Sequence, residues 1–341
     1  MLRAFARPGA LLGRATTLKT TTTTPWFKQT NALQTLLAPA KSLARPGAAA
    51  ALRPAAWRAP LVARAVPVRC LSAVVPDEKK PAAAAAPAPA PFDPNKTMGM
   101  LETVGGVQRD RSSAQLFASS FLGGAMLSWG SILMMVVAGG APSLAADPGL
   151  QSLLRGMVFP LGLSLIVLSK SELVTANFLT QYLPKPSPDA LRVLSVSFAA
   201  NLAGSLAMVG LASSACLFTP GAAALLVKAA SGKAALAPSV AFLKGVGANW
   251  LVNLAVFQAA SSPTAPGKIA ALWLPIMTFI TLNLEHSVAN MFLLPMASAL
   301  GAEFTVADMA ANIGVVAAGN AAGAVLLVGM LQKFSLFGEQ K

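Results

Sequence analysis

Ionisable side chains are scarce in this chain of 341 residues, and acidic side chains are the scarcest. Charged residues make up 11% of the sequence, whereas soluble domains carry about 25%. Two cysteines are too few for a disulfide framework, and one histidine without clustered thiols offers no ligand set for a metal cage. Apolar residues, by contrast, make up 55% of the chain. We therefore predict a membrane protein with no metal and no cofactor.

The first 76 residues contain no acid at all. They hold eleven lysine or arginine residues, so they supply +11 of the formal net charge of +14, and 15 basic minus 12 acidic residues leave +3 for the rest. A leader rich in Arg, Ala, Ser and Thr without acids is typical of an organellar transit peptide, and we predict one at residues 1–76; a long tail with no targeting role is the alternative. Residues 77–97 are rich in Ala and Pro, which predicts a disordered linker. Since the excess charge lies in the leader, it does not indicate a nucleic-acid partner.

Six segments of the remaining chain qualify as membrane spans, each with about 20 or more mainly apolar residues. They are 115–138, 152–183, 190–217, 237–260, 268–300 and 309–332. The second and fifth are too long for one span, and polar residues interrupt them at 169–175 and 283–287. Non-helical backbone at membrane depth is tolerated only where it is buried in protein or lines a wet cavity. We therefore expect the two breaks to face a shared pathway.

The two halves of this membrane domain repeat each other. Residues 172–177 and 285–290 share the frame Glu-x-x-x-Ala-Asn, and Asn-x-x-Gly recurs at Asn201 and Asn320. Phe-Leu-x-Gly, with a Trp eight residues after the Phe, recurs at Phe121 and Phe242. Three spans per half turn the second half upside down relative to the first, and inverted repeats with broken helices indicate a transport pathway at the bilayer midplane. The predicted fold is an all-α polytopic membrane protein with six spans in an inverted 3+3 repeat.

Six spans place both termini on one side of the membrane, and the positive-inside rule assigns that side. The predicted domain covers residues 98–335, followed by a short C-terminal tail at 336–341. Basic residues on the side of the termini are Arg109, Arg111, Lys185, Arg192, Lys268, Lys333 and Lys341. The opposite side has Arg155, Lys228 and Lys233 against Asp147, Glu303 and Asp308. The termini are therefore predicted to face an organelle interior.

The polar residues inside the spans are the candidates for function. His286, the only histidine, lies at the second break, where it either exchanges a proton and binds an anion or holds the broken helix by a hydrogen bond. Glu172 and Glu285 are expected to accept hydrogen bonds from unpaired backbone N–H groups at the breaks; a carboxylate catalytic pair is the weaker alternative. Thr175 is expected to donate into the pathway opposite His286, to cap the next half-helix, or to do both. Asn249 either orients His286 or joins two helices.

Four stretches of the chain resemble motifs of the formate/nitrite transporter family. Residues 284–292 resemble the family's main motif around Glu-His-Ser, residues 172–177 are similar to its Glu-Leu-Phe-Thr-Gly-Asn loop, and residues 249–252 and 319–320 match two further motifs. The resemblance covers about residues 98–335. With the leader, the chain is most similar to the green-algal organelle members, to which nitrite and bicarbonate transport are attributed.

The resemblance implies an aquaporin-like protomer with its own pore, assembled as a pentamer. It places Thr175 and His286 at the central site, with Asn249 and Val252 lining the middle and Lys233 drawing anions to the mouth. It also implies a constriction on each side and structural roles for the polar residues at the breaks. The constrictions are Phe159 with Phe279 and Leu163 with Leu173; the structural residues are Glu172, Glu285, Asn177 and Asn290. Lys170 departs from the family's usual small residue, and its charge is expected to act on the pathway.

The sequence thus predicts a channel or transporter for small monovalent anions (nitrite, formate or bicarbonate) in a chloroplast envelope membrane. The mitochondrial inner membrane is the alternative location. A neutral-solute channel is the second hypothesis, but the paired Asn-Pro-Ala motifs of that class are absent from the sequence. A membrane-embedded enzyme using Glu172, Glu285 and His286 is the third. It lacks a plausible nucleophile–base pair, so we expect no enzyme.

Overall fold

A computed structural model describes residues 92–338, and the predicted transit peptide with most of the predicted linker lies outside them. Within this range the regular secondary structure is helical. The helices of the first half are α1 (Pro94–Asp110), α2 (Ser113–Gly139), α3 (Pro148–Val158), α4 (Pro160–Ser169), α5 (Val174–Tyr182) and α6 (Pro188–Ser214), with a 3₁₀ turn at Pro142–Ala146. Those of the second half are α7 (Pro220–Ala234), α8 (Pro238–Ser261), α9 (Ala265–Thr281), α10 (Ser287–Ala299), α11 (Val306–Ala322) and α12 (Lys333–Phe337). A π-helical segment, Gly323–Gln332, continues α11 into α12.

The six predicted spans are confirmed. Five apolar helical stretches of the described chain are long enough to cross a membrane: Ser113–Gly139, Pro148–Ser169, Pro188–Ser214, Pro238–Ser261 and Val306–Phe337. The fifth predicted span is divided between two shorter apolar helices, Ala265–Thr281 and Ser287–Ala299. The second span likewise continues beyond its break as α5, so both predicted interruptions are present.

Two local features differ from the sequence prediction. The linker was expected to extend to residue 97, but α1 begins at Pro94. Asp93 explains this start, since its carboxylate accepts the N–H groups of Asn95 and Lys96 and a proline fits the first helical position. The second span also has an unpredicted joint at Phe159, where Pro160 has no N–H to continue the helical hydrogen bonds.

Each half is organised around a pair of closely packed helices. In the first half α2 packs on α6, and in the second half α8 packs on α11. Gly204 faces the carbonyl of Phe121 and Gly323 faces that of Val246, each so closely that a Cβ would overlap the carbonyl oxygen. Small residues at such crossings let membrane helices approach each other. The two halves therefore share a close contact between two helices as well as a sequence pattern.

Both breaks begin with a residue in the left-handed conformation. Lys170, at the end of α4, has φ 56°, and Asn283, just after α9, has φ 51°. Asn tolerates this conformation better than most residues, whereas a lysine in it is uncommon. The two residues are separated by the same 113 positions as Glu172 and Glu285. The chain therefore makes the same turn twice and enters α5 and α10 from it.

Candidate functional site

One buried asparagine holds each break. Asn201 donates to the carbonyls of Ser120 (2.6 Å) and Glu172 (3.0 Å), while its Oδ1 accepts the N–H of Val174 (2.9 Å). Asn320 repeats this pattern in the second half. It donates to the carbonyls of Gly245 (2.9 Å) and Glu285 (3.0 Å), and its Oδ1 accepts the N–H of Ser287 (2.9 Å).

These bonds correct the role expected for the glutamates. The backbone N–H groups that open α5 and α10 are taken by Asn201 and Asn320 rather than by Glu172 and Glu285. The asparagines were visible in sequence only as repeated positions. Their repetition was nevertheless a usable signal: a polar residue inside a membrane span needs hydrogen-bond partners, and two such residues at equivalent positions indicate the same partners in both halves.

The two glutamates bind side chains instead. Glu172 accepts from Gln108 Nε2 (2.5 Å) and Arg111 Nη1 (2.7 Å) of the α1 region, and Gln108 also donates to Asn177 Oδ1 (3.0 Å). Arg111 and Glu172 form a salt bridge whose side chains are 32% and 7% exposed. This cluster ties the helix before the first span to the first break.

The second glutamate forms the equivalent cluster with α7. Glu285 accepts from Lys233 Nζ (2.8 Å) and from Asn290 Nδ2 (2.8 Å), and Asn290 also donates to Asn312 Oδ1 (2.8 Å). The side chains of Lys233 and Glu285 are 18% and 2% exposed, so this ion pair is deeper than its counterpart. Lys233, expected only at the mouth, is thus also the partner of a buried carboxylate.

Thr175 and His286 meet where the two half-helices face each other. Thr175 Oγ1 lies 2.9 Å from His286 Nε2, and both side chains are buried. Nδ1 of the same ring accepts the N–H of Ala289 (3.3 Å) and so caps the start of α10. Because Nδ1 accepts, the proton of a neutral ring resides on Nε2, which therefore donates to the threonine oxygen. The bond at Nδ1 is the structural role weighed for His286, whereas its functional role stays a prediction.

Of the two roles weighed for Asn249, the hydrogen bonds of residues 92–338 favour the one that joins two helices, and none of them links Asn249 to His286. Asn249 Nδ2 donates to the carbonyls of Thr175 (2.9 Å) and Asn320 (2.6 Å), which is the interhelical alternative. Asn253, which the sequence analysis did not single out, also donates to the Thr175 carbonyl (3.3 Å). The two asparagines of α8 fix the backbone of Thr175 and leave its hydroxyl to His286.

A small apolar void separates the two sides of the molecule at this point. Its volume is about 10 Å³. It is lined by Leu127, Phe159, Leu163, Leu173, Val252, Ile276, Phe279 and His286. The rings of Phe159 and Phe279 meet edge to face at 5.7 Å, and Phe279 lies 5.9 Å from the imidazole. The structure thus brings together all four residues expected in constrictions with Val252 and His286.

A wider cavity opens on each side of this void, and both are lined by basic residues. The cavity that we name the terminal vestibule has a volume of about 540 Å³ and contains Arg111, Lys170 and Lys268 together with Leu163 and Leu173. The other, the distal vestibule, has a volume of about 420 Å³ and reaches Phe279 and His286. Its basic residues are Arg155, Lys228, Lys233 and Lys244. Lys170, Lys233 and His286 therefore lie along one route, with Lys170 and Lys233 on opposite sides of the void.

Comparison with known proteins places this geometry in a family. Residues 96–334 match the family model described as formate/nitrite transporter. A probable formate transporter of Methanothermobacter thermautotrophicus is 34% identical over 243 residues, covering 64% of this chain and 88% of the relative. The nitrite transporter NirC of Escherichia coli is 29% identical over 228 residues, covering 63% and 81%.

Solved structures agree with the sequence comparison. A structure described as an FNT family ion channel is similar with a TM-score of 0.65 and 25% identity, covering 71% of this chain and 99% of that one. A pentameric formate channel with formate bound gives a TM-score of 0.59 at 25% identity, covering 65% and 97%. The fold, the two breaks and the matched residues lead to one conclusion: this chain is a multi-pass membrane protein of the formate/nitrite transporter family.

Proposed function

We propose that the protein conducts small monovalent anions across a membrane, one pathway per protomer. The observation that carries this proposal is the hydrogen-bonded pair of Thr175 and His286 beside a small apolar void between two basic vestibules. The names of relatives that transport formate or nitrite support the substrate class.

The arrangement favours anions at the vestibules and opposes them at the centre. Basic side chains with low-dielectric walls raise the local anion concentration. The apolar rings and aliphatic side chains at the void then oppose a bare ion, because hydrophobic constrictions exclude water. A weak-acid anion crosses this barrier most easily as its neutral acid. The donors nearest its oxygens at the narrowest point are the Nε2–H of His286 and the hydroxyl of Thr175, which bind each other in the absence of an anion.

Flux through purified protein in liposomes tests this function. We expect nitrite, formate or bicarbonate to pass faster than through empty liposomes, with acidification increasing the flux of the weak acid. A neutral solute such as glycerol serves as the comparison, because a neutral-solute channel is the rival hypothesis. Glycerol flux without anion flux would overturn the proposal, and so would the absence of both.

Assembly as a homopentamer is part of the proposal. Large apolar side chains remain exposed on the outer faces of the described helices, among them Trp129 (40%) and Trp250 (45%), and need lipid or another protomer to cover them. The related formate channel, described as pentameric, supports five copies. Native mass spectrometry in mild detergent should give the mass of five chains; a monomer that retains transport would contradict this.

We also propose an organelle membrane, as in the green-algal members of the family, with a chloroplast envelope preferred and the mitochondrial inner membrane as the alternative. The acid-free leader at residues 1–76 supports this location. N-terminal sequencing of the mature protein should find roughly the first 70 residues removed. Retention of Met1 in the organelle-bound protein would be the opposite result.

A further inference from the structure

The void beside His286 is smaller than the anions proposed to cross it. Its volume of about 10 Å³ is the space of about one water molecule, and formate and nitrite are larger than water. Passage therefore requires that a side chain of the lining moves. Among the described residues that line this void, four line neither vestibule: Leu127, Phe159, Val252 and Ile276. We name these four residues the waist.

Three of the waist residues are held in place. The ring of Phe159 packs edge to face against Phe279 at 5.7 Å, and both residues are buried. Val252 and Ile276 lie inside α8 and α9, where a β-branched side chain has one strongly preferred χ1 rotamer. Leu127 lies inside α2, and a leucine in a helix adopts either of two χ1 rotamers. Its side chain is therefore the movable member of the waist.

Close packing fixes the backbone that carries Leu127. Helix α2 approaches α4 so closely that a Cβ at Gly162 would lie 3.1 Å from the Leu127 Cα and 3.2 Å from its carbonyl oxygen. Contacts this tight leave α2 no room to move towards α4. The room at the waist therefore depends on the side chain at position 127 rather than on the position of its helix.

Leu127 has no counterpart in the second half of the chain. The repeat that pairs Trp129 with Trp250, 121 positions apart, pairs Leu127 with Ala248. Ala248 is completely buried, but it is not among the described residues that line the void. Position 127 thus fills the void from one half only, and the chain already contains alanine at the equivalent point of the repeat.

We propose that Leu127 is the size filter of the pathway: its side chain decides how large a monocarboxylate crosses the waist. This inference rests on the proposed function and specifies its substrate class, the smallest weak-acid anions, with formate preferred over its longer homologues. The reason is steric, so it applies to the anion and to its neutral acid alike. One methyl group more or less in an apolar site changes a ratio of rates by about tenfold or more. Acetate, which is formate with one added methyl group, therefore measures the filter directly.

The experiment measures the flux of formate, acetate and lactate into liposomes that contain the purified protein, with the leak of empty liposomes subtracted. Wild-type protein should pass formate fastest and lactate slowest. Leu127→Ala removes most of the side chain and should raise the acetate-to-formate flux ratio by about tenfold. Leu226→Ala is the matched control, because Leu226 of α7 is completely buried in the same core but lines neither the void nor a vestibule. It should leave the ratio unchanged.

Two further substitutions keep the proposal testable if Leu127→Ala fails to assemble, which size-exclusion chromatography shows. Leu127→Met conserves volume and so keeps the fold, but its flexible side chain should raise the ratio by a smaller factor. Leu127→Phe should lower acetate and lactate flux more than formate flux. An unchanged ratio in assembled variants at position 127, or the same change in Leu226→Ala, would overturn the size filter. Wild-type protein without anion flux contradicts the proposed function; a conducting wild type whose flux ratio does not respond to position 127 contradicts this inference alone.

Discussion

The two helix breaks are built on one plan and differ in several of their side chains. Each is held by an asparagine, Asn201 or Asn320, and each has a buried glutamate paired with a cation. Position by position, however, Lys170 corresponds to Asn283, Leu173 to His286 and Thr175 to Val288. The shared residues are those that bind backbone or carboxylate. Lys170, Leu173, Asn283 and His286 line the vestibules or the void, so the scaffold repeats while the lining of the cavities does not.

The largest expected effect concerns the two ion pairs. Removing one partner of a buried pair leaves an uncompensated charge at a cost of about 3–5 kcal/mol, whereas exposed pairs contribute about 0–1 kcal/mol. Because the Lys233–Glu285 pair is the deeper one, Lys233→Ala should lower the thermal unfolding midpoint more than Arg111→Ala. Differential scanning calorimetry in one detergent measures both. Equal losses would show that the two glutamate clusters are energetically the same.

The next prediction distinguishes the roles of the two ring nitrogens of His286. His286→Leu copies the first break, where Leu173 begins α5 without a side-chain cap, so the variant should fold. Loss of a hydrogen bond to an ion costs about 1.5–3 kcal/mol, which corresponds to a roughly ten- to hundredfold lower flux of nitrite or formate. His286→Phe should behave in the same way.

His286→Asn is the matched comparison, because asparagine is a strong N-cap residue but does not titrate near neutral pH. It should retain part of the flux and lose its dependence on pH. Size-exclusion chromatography of each variant precedes the flux assay. Assembled His286→Phe or His286→Leu protein with normal flux and normal pH response would refute the central role of the imidazole.

The third prediction tests the feature that the two breaks share, the asparagine that holds each of them. Asn201→Ala and Asn320→Ala each leave one buried backbone N–H without an acceptor, which should lower the free energy of unfolding by about 1–3 kcal/mol. Since the bonds match one for one, we expect equal shifts in the unfolding midpoint. The double variant should lose the sum of the two, because the asparagines share no bond. A large difference between the single variants would mean that one half carries more of the stability.

The smallest effect concerns Lys170. Glycine adopts the left-handed conformation without strain, so Lys170→Gly should leave stability unchanged or raise it by about 1 kcal/mol. Removal of its charge from the terminal vestibule should lower nitrite, formate or bicarbonate flux a few-fold at low salt, with recovery at high salt. Stopped-flow flux measurements at two ionic strengths examine this. If Lys170→Gly and the wild type give the same flux of all three anions at both ionic strengths, the side chain stays outside the pathway.

The sequence was sufficient for the features that recur within the chain. The spans, the positions of both breaks and the inverted repeat follow from hydropathy and from the frames at Glu172 and Glu285, and these predictions are confirmed by the helices observed. The meeting of Thr175 and His286 came from the family resemblance, since 111 positions separate the two residues in the chain.

The partners of the buried polar residues could not be predicted. Lys233 and Glu285 are 52 positions apart, and Gln108 and Glu172 are 64 apart, so nothing local in the sequence connects them. The expectation that the glutamates bind backbone N–H groups was wrong because two asparagines on other helices occupy those sites. Which donor reaches which acceptor is decided by the packing of α6 and α11 against the breaks.

The void of about 10 Å³ has a consequence for the pH difference and the electrical potential across the membrane that contains the protein. A space of this size holds about one water molecule, and its lining offers that molecule few polar partners. Protons move rapidly through proteins along unbroken chains of hydrogen-bonded water, and an apolar lining does not support such a chain. We therefore expect a membrane that contains many copies of this protein to hold a pH difference and an electrical potential as long as no permeant weak acid is present.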